Sequence, residues 1–444
     1  TFAPSLLSGW EVNEDATEYL LTPRAGAMWS NGDPFTAEDV AFNIARWCEK
    51  GVEGNSMASR MDSLVDADTG LAREGAISVL DNGTVKLSLN TADITLIAGF
   101  SDYPAAIVHQ SFNGDPLDNP IGTGPYLPGE FEVGVKAELV KNEGHTWWGE
   151  GAYLDRIEYI DFGTDQAAIF AAVDSDEVDM IYESIGEFID LFDSIEWEKS
   201  EAVTANTVVI RPNQEAEIDG MKPYADARVR RALAMAIDNS VLLELGFNGN
   251  GTVAENHHVS PLHPEYAELP APVHDPEGAM ALMEEAGMAD FEHDLISIDD
   301  TWRKNTTDAA AGQLRDAGFA VKRTVLPGST FWNDWAKYPF STTDWAQRPL
   351  GVQVLALAYR SGEAWNESAF ANAEFDGLLA EALSIADADQ RREVMAKIQK
   401  IMQDEGVVIQ PYWRSIYRHY KPGIVGGEMH PTFEIHVSKL GFAA

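Results

Sequence analysis

The stretch Asp294–Leu326, DLISIDDTWRKNTTDAAAGQLRDAGFAVKRTVL, decides the fold class of this chain. We predict that DLISIDD is a strand, that TTDAAAGQLRDAGF is a helix ending at Gly318, and that AVKRTVL is a second strand. Two strands joined by a single helix are typical of a parallel sheet that is covered by helices. The segment therefore predicts an α/β fold.

The segments around this stretch extend the same pattern. Asp226 is positioned to cap a helix with one apolar stripe, and Asp275–Pro276 begins another helix that ends at Gly287. Asp387–Glu405 forms a third, long amphipathic helix. Near the start of the chain, residues 1–30 alternate apolar and polar side chains, which indicates two strands.

The composition excludes several classes of protein. With 444 residues, of which 45% are hydrophobic, the chain is long enough for two or three lobes with large cores. It carries 72 acidic and 31 basic residues, a formal net charge of −41, so broad contacts with nucleic acid or anionic membranes are excluded. No apolar run approaches the roughly 18 residues of a membrane-spanning helix. The scattered acids favour adaptation to a salty compartment.

Cysteine and histidine usage gives little sign of catalytic or metal chemistry. Cys48 is the single cysteine, so no intrachain disulfide forms, and we expect a buried structural thiol. His257, His258 and His263 lie close together in AENHHVSPLHPEY and could converge on a metal. A solvated Pro-rich loop is the preferred interpretation, and no metal or cofactor is predicted.

Enzyme signatures are also missing from the sequence. There is no G-x-S-x-G, Walker or Rossmann glycine pattern. Adjacent acids such as Asp299–Asp300 and Glu284–Glu285 leave a glycosidase open, although in so acidic a chain such pairs are expected mostly in solvent. We therefore predict that the protein is not an enzyme.

Several segments together resemble one family. WSNGDPFTAEDVAFNIARW (29–47), NPIGTGPY (119–126), LVKNEGHTWWG (139–149), VDSDEVDMIYE (173–183) and YADARVRRALAMAIDNSVLL (224–243) are similar, in order and spacing, to signatures of the family 5 extracellular solute-binding proteins. These are the dipeptide- and oligopeptide-type binding components of ABC importers. Asp176 stands where the family usually has glycine. Members usually carry a leading segment of several dozen residues before the point that matches Thr1.

The resemblance implies a fold and a role. It implies a two-lobed periplasmic-binding-protein-like fold of the large peptide-binding type (type II) with a small inserted subdomain. We expect the inserted subdomain at 1–115, lobe I at 116–210 plus 425–444, and lobe II at 211–424. It also implies a monomer in the periplasm of a Gram-negative bacterium, which captures a small solute between its lobes and delivers it to an ABC permease.

Ser341–Ser368, STTDWAQRPLGVQVLALAYRSGEAWNES, is the candidate ligand site. We predict a polar turn with Trp345 and Arg348, a strand-like apolar segment, and then the pair Trp365–Asn366. In peptide-binding members the matching segment resembles G-W-x-a-D-y-x-d-P, and its aspartate meets the α-amino group of the ligand. Here Trp345 matches, but Arg348 replaces the aspartate, and this reversal predicts a ligand with an anionic group, most plausibly a carboxylate.

Other features of the candidate site leave alternatives open. Arg348 could instead pair with a protein acid such as Asp344. Aromatic rings offer stacking surfaces for peptide planes or sugars, so an oligosaccharide ligand is the second hypothesis and a hydrolase the third. The predicted ligand-binding residues are Trp345, Arg348, Trp365, Asn366, Trp332, Tyr359, Tyr412 and Trp413, and Trp335 belongs to the same aromatic group.

Overall fold

The computed structural model describes residues 2–163 and 165–443, which form four sheets covered by helices. The strands are β1 (Leu7–Val12), β2 (Glu18–Pro23), β3 (Ile77–Val79), β4 (Val85–Ser88), β5 (Tyr126–Glu132), β6 (Lys136–Lys141), β7 (Arg156–Ile160), β8 (Glu198–Pro212), β9 (Gly251–Val253), β10 (His293–Ile298), β11 (Val321–Leu326), β12 (Phe340–Trp345), β13 (Tyr412–Tyr420), β14 (Ile424–Val425) and β15 (Gly441–Phe442). The α-helices are α1 (Ala37–Trp47), α2 (Leu96–Phe100), α3 (Gln166–Asp174), α4 (Phe188–Asp193), α5 (Ala227–Met235), α6 (Asn239–Phe247), α7 (Pro276–Glu285), α8 (Thr301–Asp316), α9 (Gly328–Phe331), α10 (Gly351–Ala358), α11 (Ala373–Leu383) and α12 (Ala388–Glu405).

A six-stranded sheet, in the order β11-β10-β12-β8-β13-β9, is the centre of the fold. The predicted β-α-β unit is confirmed, because β10 pairs in parallel with β11 and α8 connects the two strands. The helix begins at Thr301, earlier than the predicted start at Thr306. The Asp300 carboxylate accepts a hydrogen bond from Arg303 N at 2.9 Å and so caps the additional turn.

The segment Ser341–Ser368 differs from its prediction. Its first residues belong to the buried strand β12 and not to a polar turn, and its apolar part is the helix α10 and not a strand. All eight residues of α10 are buried. A run that is buried on every side has no polar face, so its periodicity cannot distinguish a helix from a strand.

The first hundred residues enclose a core of their own. The predicted strand pair is confirmed as β1 and β2, which continue into the antiparallel order β1-β2-β4-β3. Helix α1 covers this sheet, and Thr36 and Asp39 form a capping box at its start. Cys48 is buried in the core, as predicted, and burial raises the pKa of its thiol to about 12.

A three-stranded antiparallel sheet, β5-β6-β7, precedes the long strand β8. β8 pairs along its first half with β13 and along its second half with β12, so β8 and β13 connect this part of the chain to the central sheet. Asp176, where the family usually has glycine, has a φ of +64°, the left-handed region that glycine adopts most easily.

Within the described residues, none of the helices has the length and apolarity needed to span a membrane.

Candidate functional site

The candidate site lies at one edge of the central sheet. β10, β11 and β12 run parallel, so their carboxyl ends at Ile298, Leu326 and Trp345 share that edge. Ligands of open α/β sheets bind beyond the carboxyl ends of such strands. β10 is followed by the first turn of α8, β11 by the segment with Trp332 and Trp335, and β12 by the loop with Arg348.

A cavity of about 650 Å³ opens beside this edge. The first turn of α8 forms one wall, and β7, α3, residues 177–185 and the C-terminal segment form the other. The cavity therefore lies between the central sheet and the part of the chain that precedes β8. The lining side chains with polar or aromatic character include Tyr159, Gln166, Tyr182, Glu183, Asp300, Trp302 and Arg303.

Two groups of ion pairs lie in the wall of this cavity. Arg303 binds the carboxylates of Asp300 and of Asp344, the latter at 2.7 Å. Burial alone would lower the pKa of Arg303, but the two carboxylates outweigh burial and raise it. Glu183 pairs with Arg414, and burial raises the pKa of Glu183 against the opposing effect of this guanidinium.

Arg348 is buried and pairs with a protein acid, but the acid is Asp102 and not Asp344. Its Nε lies 3.1 Å from Asp102 Oδ2, and its Nη1 donates to the carbonyl oxygens of residues 346 and 347. Asp102 also binds Arg60, whose Nε donates to the same oxygen at 2.7 Å. Burial lowers the pKa of Arg348, and Asp102 opposes that effect. One carboxylate therefore serves two guanidinium groups.

Three of the predicted aromatic residues gather near this ion-pair cluster, and a fourth lies beside Arg303. The rings of Trp345 and Trp365 meet edge to face with their centroids 5.7 Å apart, and the centroids of Trp335 and Trp365 are 6.4 Å apart in the same arrangement. Trp332 is 41% exposed, and the guanidinium of Arg303 lies 5.8 Å from its ring. Trp332 lies beside Arg303, which lines the cavity, but none of the eight predicted ligand-binding residues lines the cavity itself.

Residues from the N-terminal part of the chain complete the aromatic group. Tyr103 stacks on Trp365 at 6.4 Å, and the guanidinium of Arg60 lies 4.8 Å from the same ring. Asp102 belongs to the same loop as Tyr103. The candidate site is therefore built from residues that lie about 250 positions apart in the sequence, for instance Asp102 and Arg348.

The remaining predicted ligand-binding residues already have protein partners. The Asn366 side chain donates to the carbonyl oxygens of residues 359, 360 and 370 and so fixes its own loop. Tyr359 is buried, and its hydroxyl lies 2.7 Å from His258 Nδ1. Tyr412 is buried against Phe247, and Trp413 packs against His258. The structure thus places these four side chains in loop and core positions.

The three histidines do not lie in a solvated loop, and that prediction is wrong. His257, His258 and His263 are all buried, and each contacts a protein group. His257 Nε2 lies 3.0 Å from Glu255, and His263 Nε2 lies 3.1 Å from the carbonyl oxygen of Arg348. Ring nitrogens with such partners allow a polar side chain to be buried, which sequence spacing does not reveal.

These buried histidines predict a dependence of stability on pH. Burial lowers the pKa of His258 to about 3 and the pKa values of His263 and His293 to about 4. Below the unfolded-state pKa of about 6.5, the unfolded chain binds protons that the folded chain excludes, so stability falls as the pH decreases towards 4. Each histidine contributes up to about 1.4 kcal/mol per pH unit in this window.

Urea unfolding at pH 7, 6 and 5 measures this effect. H293Q removes one buried titrating group, so its free energy of unfolding is expected to fall less steeply between pH 6 and 5 than that of the wild type. H274Q, at an exposed histidine, is the matched control and should retain the wild-type slope. Equal slopes for the two variants would contradict the prediction.

The residues that line the cavity were not predicted from the sequence. Tyr182 and Glu183 line the cavity and end the segment 173–183. The sequence of this segment indicates the family but does not indicate a ligand contact. Asp299–Asp300 was interpreted as a chance pair in solvent, which is wrong for Asp300, because its side chain is only 8% exposed. The position of Asp300, directly after a buried strand and at the start of a helix, is the signal that could have identified it.

Comparisons with known proteins agree with this architecture. The profile of the bacterial extracellular solute-binding proteins, family 5 Middle, matches residues 1–366. The oligopeptide-binding protein OppA of Haemophilus influenzae has a similar structure, with a TM-score of 0.86, 19% identity and coverage of 100% of this chain and 90% of that one. AgaA of A. tumefaciens, solved with agropinic acid, gives a TM-score of 0.85 at 21% identity with the same coverage. The two-lobed α/β fold predicted from the resemblance is therefore confirmed.

Curated relatives point to the same group. Heme-binding protein A of Haemophilus influenzae is 24% identical over 439 residues, covering 90% of this chain and 77% of the relative. The periplasmic oligopeptide-binding protein OppA of Salmonella typhimurium is 23% identical over 468 residues, covering 99% of this chain and 84% of the relative. These relatives are binding proteins and not enzymes, so the hydrolase hypothesis is set aside. The match over residues 1–366 shows that this chain belongs to the family 5 bacterial extracellular solute-binding proteins.

Proposed function

We propose that this protein captures a small organic solute with a carboxylate or similar anionic group and delivers it to the permease of an ABC importer. One observation carries the choice of charge. Arg60 and Arg348 share the single carboxylate of Asp102, and among the described residues no other acid lies within ion-pair distance of either guanidinium. The buried cluster therefore holds an uncompensated positive charge. A ligand carboxylate would supply the counter-charge in bidentate geometry.

The connections of the cluster suggest how capture would proceed. Asp344, near the end of β12, forms an ion pair with Arg303 in the cavity wall. The pair therefore connects the cavity wall with Trp345, which ends the strand, and with the loop that carries Arg348. β8 and β13 are the strands that pass between the two sides of the cavity, so they would serve as the hinge between lobe I and lobe II. We propose that a monomer closes around the solute by rotation at these strands.

A thermal-shift screen tests the ligand class, because a solute that binds only the folded state raises the melting temperature. The relatives' names suggest dipeptides, oligopeptides, heme and agropinic acid, to which amino acids, other opines and sugars are added. Carboxylate-bearing solutes are expected to raise the melting temperature, and their methyl esters are expected to lose the effect. Stabilisation only by unmodified dipeptides, abolished when the amino group is blocked, would contradict the proposal.

A neutral oligosaccharide is the second candidate. The specific observation in its favour is that Arg348 already has a protein partner, while the rings of Trp345, Trp365 and Trp335 adjoin one another. The open face of an aromatic ring suits the face of a sugar ring. In the same screen, this candidate predicts stabilisation by neutral sugars that does not change when Arg348 is replaced.

We also propose, from the family membership, a location in the periplasm of a Gram-negative bacterium, and the charge of −41 suggests that this compartment is salty. Repulsion among the surface acids destabilises the compact state, and salt screens it, with a Debye length of about 10 Å at 0.1 M and about 3 Å at 1 M. We expect the free energy of unfolding by urea to rise between 0.01 M and 1 M NaCl. Potassium chloride should act like sodium chloride, and a free energy that is independent of salt would contradict the interpretation.

A further inference from the structure

The segment His430–His436, HPTFEIH, brings three metal-ligating side chains together, none of which lines the cavity described above, although Ile435 between them does. Candidate ligand atoms of His430, Glu434 and His436 all lie within 4.8 Å of one another. The two imidazole rings meet edge to face with their centroids 5.2 Å apart. We propose that this segment binds one divalent first-row transition-metal ion, such as Zn²⁺, Ni²⁺ or Cu²⁺.

The donor set determines the class of metal. Two imidazoles and one carboxylate suit zinc, nickel and copper, whereas calcium and magnesium require oxygen ligands. Bonds of about 2.0–2.2 Å place tetrahedral ligand atoms about 3.4 Å apart, so the ligand atoms must approach one another by up to about 1.4 Å. Glu434 and His436 are exposed and can make this movement. Three protein ligands leave at least one position open for water.

The backbone of the segment is held in an unusual conformation. Phe433 has a φ of +63°, which is rare for an aromatic residue. Its ring stacks on Tyr182 at 5.7 Å, and its carbonyl oxygen accepts a hydrogen bond from Arg418 Nη2 at 3.4 Å. These contacts hold the turn that brings His430 and His436 to the same side. Strained backbone of this kind is concentrated at functional sites.

Thr432 connects two of the ligands in a way that suits metal binding. Its Oγ1 lies 2.8 Å from His430 Nδ1 and 3.3 Å from Glu434 Oε1. The backbone N–H of Thr432 also donates to His430 Nδ1 at 3.3 Å, so Thr432 fixes the orientation of the His430 ring. Outer hydrogen bonds of this type orient ligating histidines and carboxylates.

The charge state of the segment also favours a cation. No lysine or arginine of the described residues lies within ion-pair distance of Glu434. The net charge of −41 raises the local concentration of cations.

Isothermal titration of the tag-free, EDTA-treated protein with zinc, nickel or copper chloride at pH 7.5 tests the proposal. One ion per chain is expected for at least one metal. H436A and E434Q should each weaken binding at least tenfold, and T432V should weaken it by about tenfold. H274A, at an exposed histidine outside the segment, is the matched control and should bind like the wild type.

Three results would overturn the proposal: the absence of saturable binding, wild-type affinity in H436A and E434Q, or an equal loss in H274A. Because the ligands lie at the surface, the metal-free variants should melt at the wild-type temperature. If H436A nevertheless unfolds, E434Q alone decides between support and refutation, since its replacement side chain has the same size.

Discussion

Replacing Arg348 with alanine is expected to weaken binding of the carboxylate-bearing solute by about 2–4 kcal/mol, or roughly 30- to 700-fold in Kd. The guanidinium is buried, so its contact with an anion is screened little by water. Stability should change much less than affinity, because Asp102 keeps Arg60 as its partner when Arg348 is removed. Titration calorimetry with the solute identified by the screen measures the loss.

Two further substitutions separate charge from geometry. R348K retains a positive charge but lacks the planar fork, so it should restore only part of the affinity. D102N removes the carboxylate that competes with the ligand, so it should tighten binding of an anionic solute by roughly tenfold. Unchanged affinity in R348A would show that Arg348 is structural, and unchanged affinity in D102N would show that Asp102 does not compete.

The sequence was most informative where local physics determines structure alone. The β-α-β unit of β10, α8 and β11 and the capped helix α1 follow from periodicity and from caps at Asp300 and Thr36. The helix α10 could not be predicted in the same way, because every one of its residues is buried. The tertiary environment selects a helix there, and the apolar pattern contains no information about it.

The candidate site was predictable only in part, because its partners come from distant parts of the chain. The unusual residue was found, since Arg348 stands where an acid is usual in the family. Its partner Asp102 could not be found, because no local pattern links a loop near position 100 to the end of β12. The three buried histidines were misinterpreted for the same reason, since their partners Glu255, Tyr359 and the Arg348 carbonyl become visible only in three dimensions.

A second large effect, on stability, is expected when Glu367 is replaced. This residue holds Trp345 of the candidate site by a hydrogen bond. Its carboxylate accepts hydrogen bonds from Arg211 Nε at 2.8 Å, from the Thr343 hydroxyl at 2.7 Å and from Trp345 Nε1 at 2.8 Å. The side chains of Glu367 and Arg211 are 3% and 1% exposed. This carboxylate therefore balances a buried charge and also orients the Trp345 ring.

We expect E367Q to lower the free energy of unfolding by about 3–5 kcal/mol, because it leaves the Arg211 charge buried without a counter-ion. The new amide also directs its N–H group towards either Arg211 or Trp345, and neither of these donors can accept it. The matched control is D334N, which breaks the exposed pair with Lys337 and should cost no more than about 0.5 kcal/mol. Urea unfolding at pH 7.5 compares the two variants, and a loss below about 1 kcal/mol in E367Q would show that the buried Arg211 guanidinium does not depend on this counter-ion.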